Sequence, residues 1–163
     1  MLRLTWSLVR EANALLLAYV VRNEGPAPII VADSLIYQHT VRPDLVVVED
    51  DAKPITVAFK RGYVPSMIKW YVPPPMPSAV SLDAGAELKR DARAPLPLAA
   101  FHDTDQDPRP LRSGNTHAVL EVGWIDHPEA HLQRRAIAEN TFVETASHWG
   151  AQRWLRGERL PLP

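Results

Sequence analysis

Ala14-Leu-Leu-Leu-Ala-Tyr-Val-Val-Arg-Asn-Glu-Gly-Pro-Ala-Pro-Ile-Ile-Val-Ala-Asp-Ser-Leu-Ile36 consists of two apolar runs separated by a polar turn. β-Branched and aromatic residues recur in both runs, and Asn23, Gly25, Pro26 and Pro28 supply backbone conformations that reverse a chain. The stretch predicts two strands joined as a hairpin, and with them a β-sandwich. The first run carries a second signal. Leu15, Leu17, Tyr19 and Val21 alternate with Leu16, Ala18 and Val20, so both faces are apolar, whereas a strand of an antiparallel sandwich ordinarily turns one face to water. A cover is therefore expected over Leu15, Leu17, Tyr19 and Val21: the chain's own C-terminal segment, a second copy, or another protein.

Outward from this stretch, Leu2, Leu4, Trp6 and Leu8 alternate with Arg3, Thr5 and Ser7, the period-two pattern of a strand with one wet face. Residues 45–48 and 55–60 flank the charged turn Glu49-Asp-Asp-Ala-Lys-Pro54 as a second hairpin. Further strands are expected over 63–72, 89–94 and 116–126, with an extended proline run at 73–77, a turn at Gly85 and a long surface loop over 95–114. In the last strand, Leu120, Val122 and Trp124 share one face, and Val119, Glu121, Gly123 and Ile125 the other. Pro128 stands where a first helical residue would, which predicts a short helix towards Asn140 with Leu132 and Ala136 one turn apart.

Seven or eight short strands joined by turns predict an all-β fold: a two-sheet antiparallel sandwich over residues 1–126, with a short helical or irregular extension, 127–163, packed on it within the same domain. A chain of 163 residues buries about 70% of its unfolded surface, so it needs neither disulfide nor metal to fold. Residues 1–126 resemble the immunoglobulin-like and fibronectin-III-like sandwiches of bacterial proteins. The resemblance is carried by the apolar strand ending in Val21-Arg-Asn-Glu-Gly25, the Leu82-Asp-Ala-Gly-Ala-Glu-Leu88 turn and the strand from Val119 to Trp124. It implies a fold and no activity. The intersheet cysteine pair of antibody domains is absent, so no antibody-like function carries over.

Composition narrows the function classes. The chain has no cysteine, which removes disulfides, thiolate nucleophiles and cysteine-ligated zinc and favours a cytoplasmic location. Arg3, Arg10 and Glu11 interrupt any signal-peptide-like run. The longest uncharged apolar run, 14–21, is far shorter than the ~20 residues of a membrane-spanning helix. Eighteen basic and nineteen acidic side chains leave a net charge of −1, with no global field to attract nucleic acid or an anionic membrane.

Three constellations could carry chemistry. Asp103, Asp105 and Asp107 alternate in a loop, a spacing that can wrap Ca²⁺, but Pro108 and Gly114 stand where an EF-hand has its glycine and its bidentate glutamate. His127 and His131 lie four residues apart, a zinc-ligand spacing on a helix, without an identifiable third ligand. No nucleophile elbow and no glycine-rich phosphate loop occurs. Trp149, Arg153, Trp154, Arg156 and Arg159 interleave indole with guanidinium, as stacking platforms do, although residues 128–163 carry five basic against four acidic groups, which speaks against nucleic acid.

These observations favour a non-catalytic protein-interaction module, either a subunit of a bacterial assembly or an inhibitor-like partner, with no cofactor. Leu15, Leu17, Tyr19, Trp149, Arg153, Trp154 and Arg156 are the candidate partner-facing residues. The alternative is a sandwich that binds carbohydrate or Ca²⁺; a metal-dependent enzyme ranks behind both.

Overall fold

A computed structural model describes residues 1–37, 39–42, 47–49, 54–59, 76–100, 109–111 and 114–163. Its strands are β1 (Leu2–Glu11), β2 (Ala14–Asn23), β3 (Ile29–Tyr37), β4 (Thr40–Arg42), β5 (Val47–Glu49), β6 (Ile55–Phe59), β7 (Met76–Leu82), β8 (Glu87–Pro95), β9 (Ala99–Ala100), β10 (Arg109–Pro110), β11 (His117–Ile125), β12 (Leu132–Ala138), β13 (Thr141–Ala146), β14 (Arg153–Arg156) and β15 (Leu160–Pro161). The strands expected near the N-terminus, around 89–94 and over 116–126 are β1, β8 and β11. The expected strand at 63–72 and the acidic loop at 103–107 lie outside the described residues.

Two sheets face each other. The first has the order β1-β2-β8 and is antiparallel throughout. The second runs β4-β3-β11-β6-β5, with β7 added to β3 and both β14 and β15 added to β11. The β5–β6 hairpin forms as expected, with Val48 opposite Val57. The sheet is nevertheless mixed, because β6 lies parallel to β11 over Ile55–Phe59. Leu4, Leu17 and Val21 from the first sheet meet Val31, Leu35, Ile55, Leu120 and Val122 from the second in one continuous core.

The opening stretch forms its two strands, but they are not a hairpin. β2 pairs with β1 and β8, whereas β3 pairs with β7, β4 and β11, so the turn between them crosses from one sheet to the other. The return crossing, from β7 to β8, lies beside it. Asn23 ties the two together: its Nδ2 donates to the carbonyls of Ala27 at 2.8 Å and Leu82 at 3.0 Å, and its Oδ1 accepts from Gly25 N–H at 3.0 Å. Its backbone N–H donates to Ala86 O at 3.0 Å, and its carbonyl accepts from Gly85 N–H at 2.7 Å. Gly85 has φ +77°, a left-handed conformation that a side chain would strain.

The double-sided apolarity has a different resolution from the one expected. Leu15, Leu17, Tyr19 and Val21 are the core-facing set of β2, all under 5% exposed, and Leu16, Ala18 and Val20 form the outer face. β3 buries both of its faces. Ile29 and Val31 enter the main core, while Ile30 and Ala32 point the other way, against Ala79, Ile125, Ala146 and Trp149. The C-terminal segment supplies that cover, as a third layer on the second sheet.

The cover is a β-hairpin, and this corrects the expected helix over 128–140. β12 and β13 pair antiparallel from Leu132 opposite Ala146 to Ala138 opposite Thr141. Asn140 adopts φ +58°, so the residue that looked like a helix end is the left-handed residue of a tight strand reversal. Helical spacing of Leu132 and Ala136 was outweighed by pairing that keeps Ala130, Leu132 and Ala146 over the second sheet.

At the opposite flank, β14 and β15 bring the chain back beside β1. Trp6 Nε1 donates to Glu158 O at 2.8 Å, and a Cβ at Gly157 would lie 2.7 Å from the Trp6 ring. A side chain at Gly157 would collide with the indole.

Two outcomes are expected. Asn23→Ala leaves two carbonyls and one N–H at a buried corner without their partner and should cost about 2–4 kcal/mol in urea denaturation; a loss below ~0.5 kcal/mol would mean that Asn23 does not hold the corner. A chain ending at Asn140 loses β13, Trp149, β14 and β15, so it should bind hydrophobic dye and melt earlier, whereas an unchanged melting curve would contradict the third layer.

Candidate functional site

The C-terminal arginine–tryptophan segment divides into a buried part and an exposed part. Trp149 is 5% exposed, and its Nε1 donates to Thr145 Oγ1 at 3.2 Å. Thr145 Oγ1 in turn donates to Pro77 O at 3.4 Å, which fastens the hairpin to β7. Trp154 is 53% exposed. The two indoles therefore do not form one stacking platform, and Trp149 is not a partner-facing residue.

β14 places the exposed part by register. Leu155 lies opposite Val122 and packs into the main core, so Trp154, opposite Gly123, and Arg156, opposite Glu121, occupy the outer face. The guanidinium groups are held by carboxylates: Arg153 Nη1 is 3.1 Å from Asp126 Oδ2, and Arg156 Nε is 3.7 Å from Glu121 Oε1. Arg153 also sits 5.3 Å from the Trp124 ring centroid. Trp154 and Arg156 are thus displayed on the outer face of a short strand whose backbone is fixed to β11, whereas Arg153, opposite Trp124, stands on the other face with Leu155. Sequence reasoning missed Asp126 and Glu121 as the anchors, because strand register brings them close and no local spacing does.

On the hairpin, Arg134 lies over Phe142, with 4.2 Å between the guanidinium carbon and the ring centroid. Phe142 is 49% exposed. This pair adjoins the hairpin turn and had no sequence signal of its own.

The histidines do not assemble as the helical spacing required. Residues 127–130 form a turn closed by Ala130 N–H to His127 O at 2.9 Å. His127 stacks on His148, with ring centroids 5.1 Å apart and planes 19° apart. His131 is engaged elsewhere: its Nδ1 is 3.0 Å from Glu129 O and 3.2 Å from Ser147 Oγ, and its Nε2 is 3.2 Å from Gln133 Nε2. A carbonyl facing Nδ1 and an amide donor facing Nε2 both call for the tautomer protonated at Nδ1. That nitrogen cannot then take a proton from Ser147, which instead accepts from His131 N–H at 2.9 Å and donates to His131 O at 3.3 Å. Ser147 and His131 close the base of the hairpin. Among the described residues no three His, Asp or Glu side chains gather in a way that could hold a metal ion. Asp103, Asp105 and Asp107 lie outside them.

Leu15 and Leu17 are core residues and cannot face a partner. Tyr19 is also buried, between the sheets, where its hydroxyl donates to Asp33 O at 3.4 Å. Asp33 is paired with Arg90 Nε across the sheets. Burial, and after it the charge of Asp33, pushes the Tyr19 phenol well above its ordinary value of 10.0.

No family model matches this chain, and no curated protein or solved structure matches it. Among the described residues no helix is long and apolar enough to cross a membrane.

The Tyr19 shift has a defined pH signature. The folded state holds the phenolic proton more tightly than the unfolded chain, so this contribution is intact below pH 10.0 and is lost as pH rises above it. Stability should fall above pH 10.0 by up to about 1.4 kcal/mol per pH unit from this group. Tyr19→Phe should remove that part of the alkaline slope in urea titrations, and an identical slope in both proteins would refute the assignment.

Proposed function

We propose that the protein is a non-catalytic interaction module that engages another protein through the outer surface of β14. The observation that carries this reading is Trp154: a half-exposed indole on a strand fixed to the sheet, sharing its outer face with Arg156, which is paired with Glu121. Tryptophan and arginine are the residues most enriched among energetic hot spots of interfaces. Side chains held in place before binding also lose less conformational entropy when a partner docks.

The immunoglobulin-like and fibronectin-III-like likeness supports this reading at the level of architecture alone, since sandwiches of that kind serve as binding scaffolds as well as in other roles. The cysteine-free composition suits a cytoplasmic setting. A carbohydrate reading loses its aromatic pair because Trp149 is buried.

The test is association measured beside folding. The intact protein, purified from its native source, should carry one stoichiometric protein partner. Trp154→Ala should weaken that complex by about 30-fold or more, the scale of a hot-spot truncation, with an unchanged unfolding midpoint. A partner retained at full affinity, or a loss of stability equal to the loss of binding, would overturn the assignment to β14.

A further inference from the structure

The free edge of the first sheet carries an inference independent of the Trp154 surface. β8 is the terminal strand of the order β1-β2-β8, and among the described residues no strand pairs with its other side. The direction of its backbone groups follows from the ladder with β2. That ladder runs without a register shift from Ala14 opposite Pro95 to Arg22 opposite Glu87. It is bracketed by two bonds, Asn23 N–H to Ala86 O at 3.0 Å and Leu96 N–H to Asn13 O at 2.8 Å. Hydrogen-bonded pairs recur at every second residue of an antiparallel ladder. The even-numbered residues of β8 therefore direct their N–H and C=O to β2, and Glu87, Lys89, Asp91 and Arg93 direct theirs away from it. Two details agree. The Lys89 carbonyl accepts at 2.9 Å from the Arg90 guanidinium and not from β2. Pro95, which has no N–H to donate, occupies an outward position.

The side chains of those four outward residues share the solvent face of the strand and are all exposed. Their charges alternate: Glu87 negative, Lys89 positive, Asp91 negative, Arg93 positive. Charge on an edge strand usually deters pairing, and a run of one sign would deter any second copy. Of the registers an alternating run allows, the one centred on Arg90 sets the largest number of opposite charges against each other. In an antiparallel pair centred on Arg90, Glu87 lies opposite Arg93 of a second copy and Lys89 opposite Asp91 of a second copy, all at hydrogen-bonded positions. Shifting the register by two residues either way sets Glu87 against Asp91 or Lys89 against Arg93, which repel. A one-residue shift sets outward backbone groups against inward ones and turns the core faces apart.

The centred register also suits the inner face. Leu88 lies opposite Ala92 and lengthens the apolar layer. Arg90 meets Arg90 of a second copy, but each guanidinium is already neutralised by its own Asp33. Lys89 Nζ at 3.4 Å and Arg22 Nη1 at 3.7 Å already contact Glu87, so these side chains are arrayed along the same face. The Arg90 contact to the Lys89 carbonyl has to be given up, and Glu87 and Lys89 have to share their charges between these contacts and the second copy.

We propose that the protein forms a two-fold dimer by antiparallel pairing of β8 with β8 of a second copy, centred on Arg90, which joins two three-stranded sheets into one of six strands.

Charge exchange tests this. Sedimentation velocity of the full chain should show a dimer. Asp91→Lys and Lys89→Asp each turn two attractive cross-strand pairs into repulsive ones, and each should weaken dimerisation by about tenfold or more. A 1:1 mixture of the two variants should form a heterodimer, and the double exchange K89D/D91K should restore self-association. Trp154→Ala should leave the dimer unchanged. Glu87→Arg and Arg93→Glu form a second exchangeable pair, so the test survives if one of the first variants does not fold. A strictly monomeric wild-type protein, or a dimer indifferent to single exchanges and not rescued in the mixture, would overturn the proposal.

Discussion

The buried side chain of Asn23 is the constraint on which the two-sheet arrangement depends. It lies where two chain crossings run side by side, β2 to β3 outbound and β7 to β8 returning, and it bonds to both. An antiparallel ribbon is thereby folded over onto itself. β2 and β8 are one half of that ribbon, in the first sheet, and β3 and β7 the other half, in the second. A corner of this kind exposes backbone donors and acceptors at the rim of an apolar core, where an unpaired group is costly. An amide side chain can both donate and accept, which is what two carbonyls and an N–H require.

Once the ribbon is folded, β3 has apolar residues on both faces and needs a second layer. The chain provides it with the β12–β13 hairpin and Trp149, so the second sheet is sandwiched between the first sheet and the chain's own C-terminal segment. The same segment then returns as β14 and β15 along β11. Fixing β14 in the sheet sets Trp154 and Arg156 side by side on its outer face. Burial of Trp149 and packing of Leu155 on the core determine where Trp154 can be.

The first sheet has two flanks with opposite chemistry. β1 meets the Gly157–Glu158 backbone at Trp6, a contact that requires a residue without a side chain at 157. β8 has no such partner among the described residues and presents charges. Its outer row is ordered by sign and not merely polar, which makes that edge selective in what it can accept.

The amino-acid sequence by itself determined the all-β class, the positions of β1, β2, β3, β5, β6, β8 and β11 and the core periodicity of β11, because alternation of apolar residues is local and survives in any arrangement of the strands. The alternating charges of Glu87, Lys89, Asp91 and Arg93 stand in the sequence, but that they line a sheet edge came from the pairing of β8 with β2. Three matters were decided by tertiary structure. Which face of β2 is inside, and that β3 carries the double burden, depends on which sheet each strand joins. Whether residues 128–140 form a helix or the first part of a hairpin depends on the apolar face of β3 that the segment must cover. The anchoring of Arg153 by Asp126 and of Arg156 by Glu121 depends on strand register. In each case the deciding partner is distant along the chain, and no pattern within a short window encodes it; the physical reason is that pairing and burial are properties of surfaces that exist only after the chain has crossed from one sheet to the other.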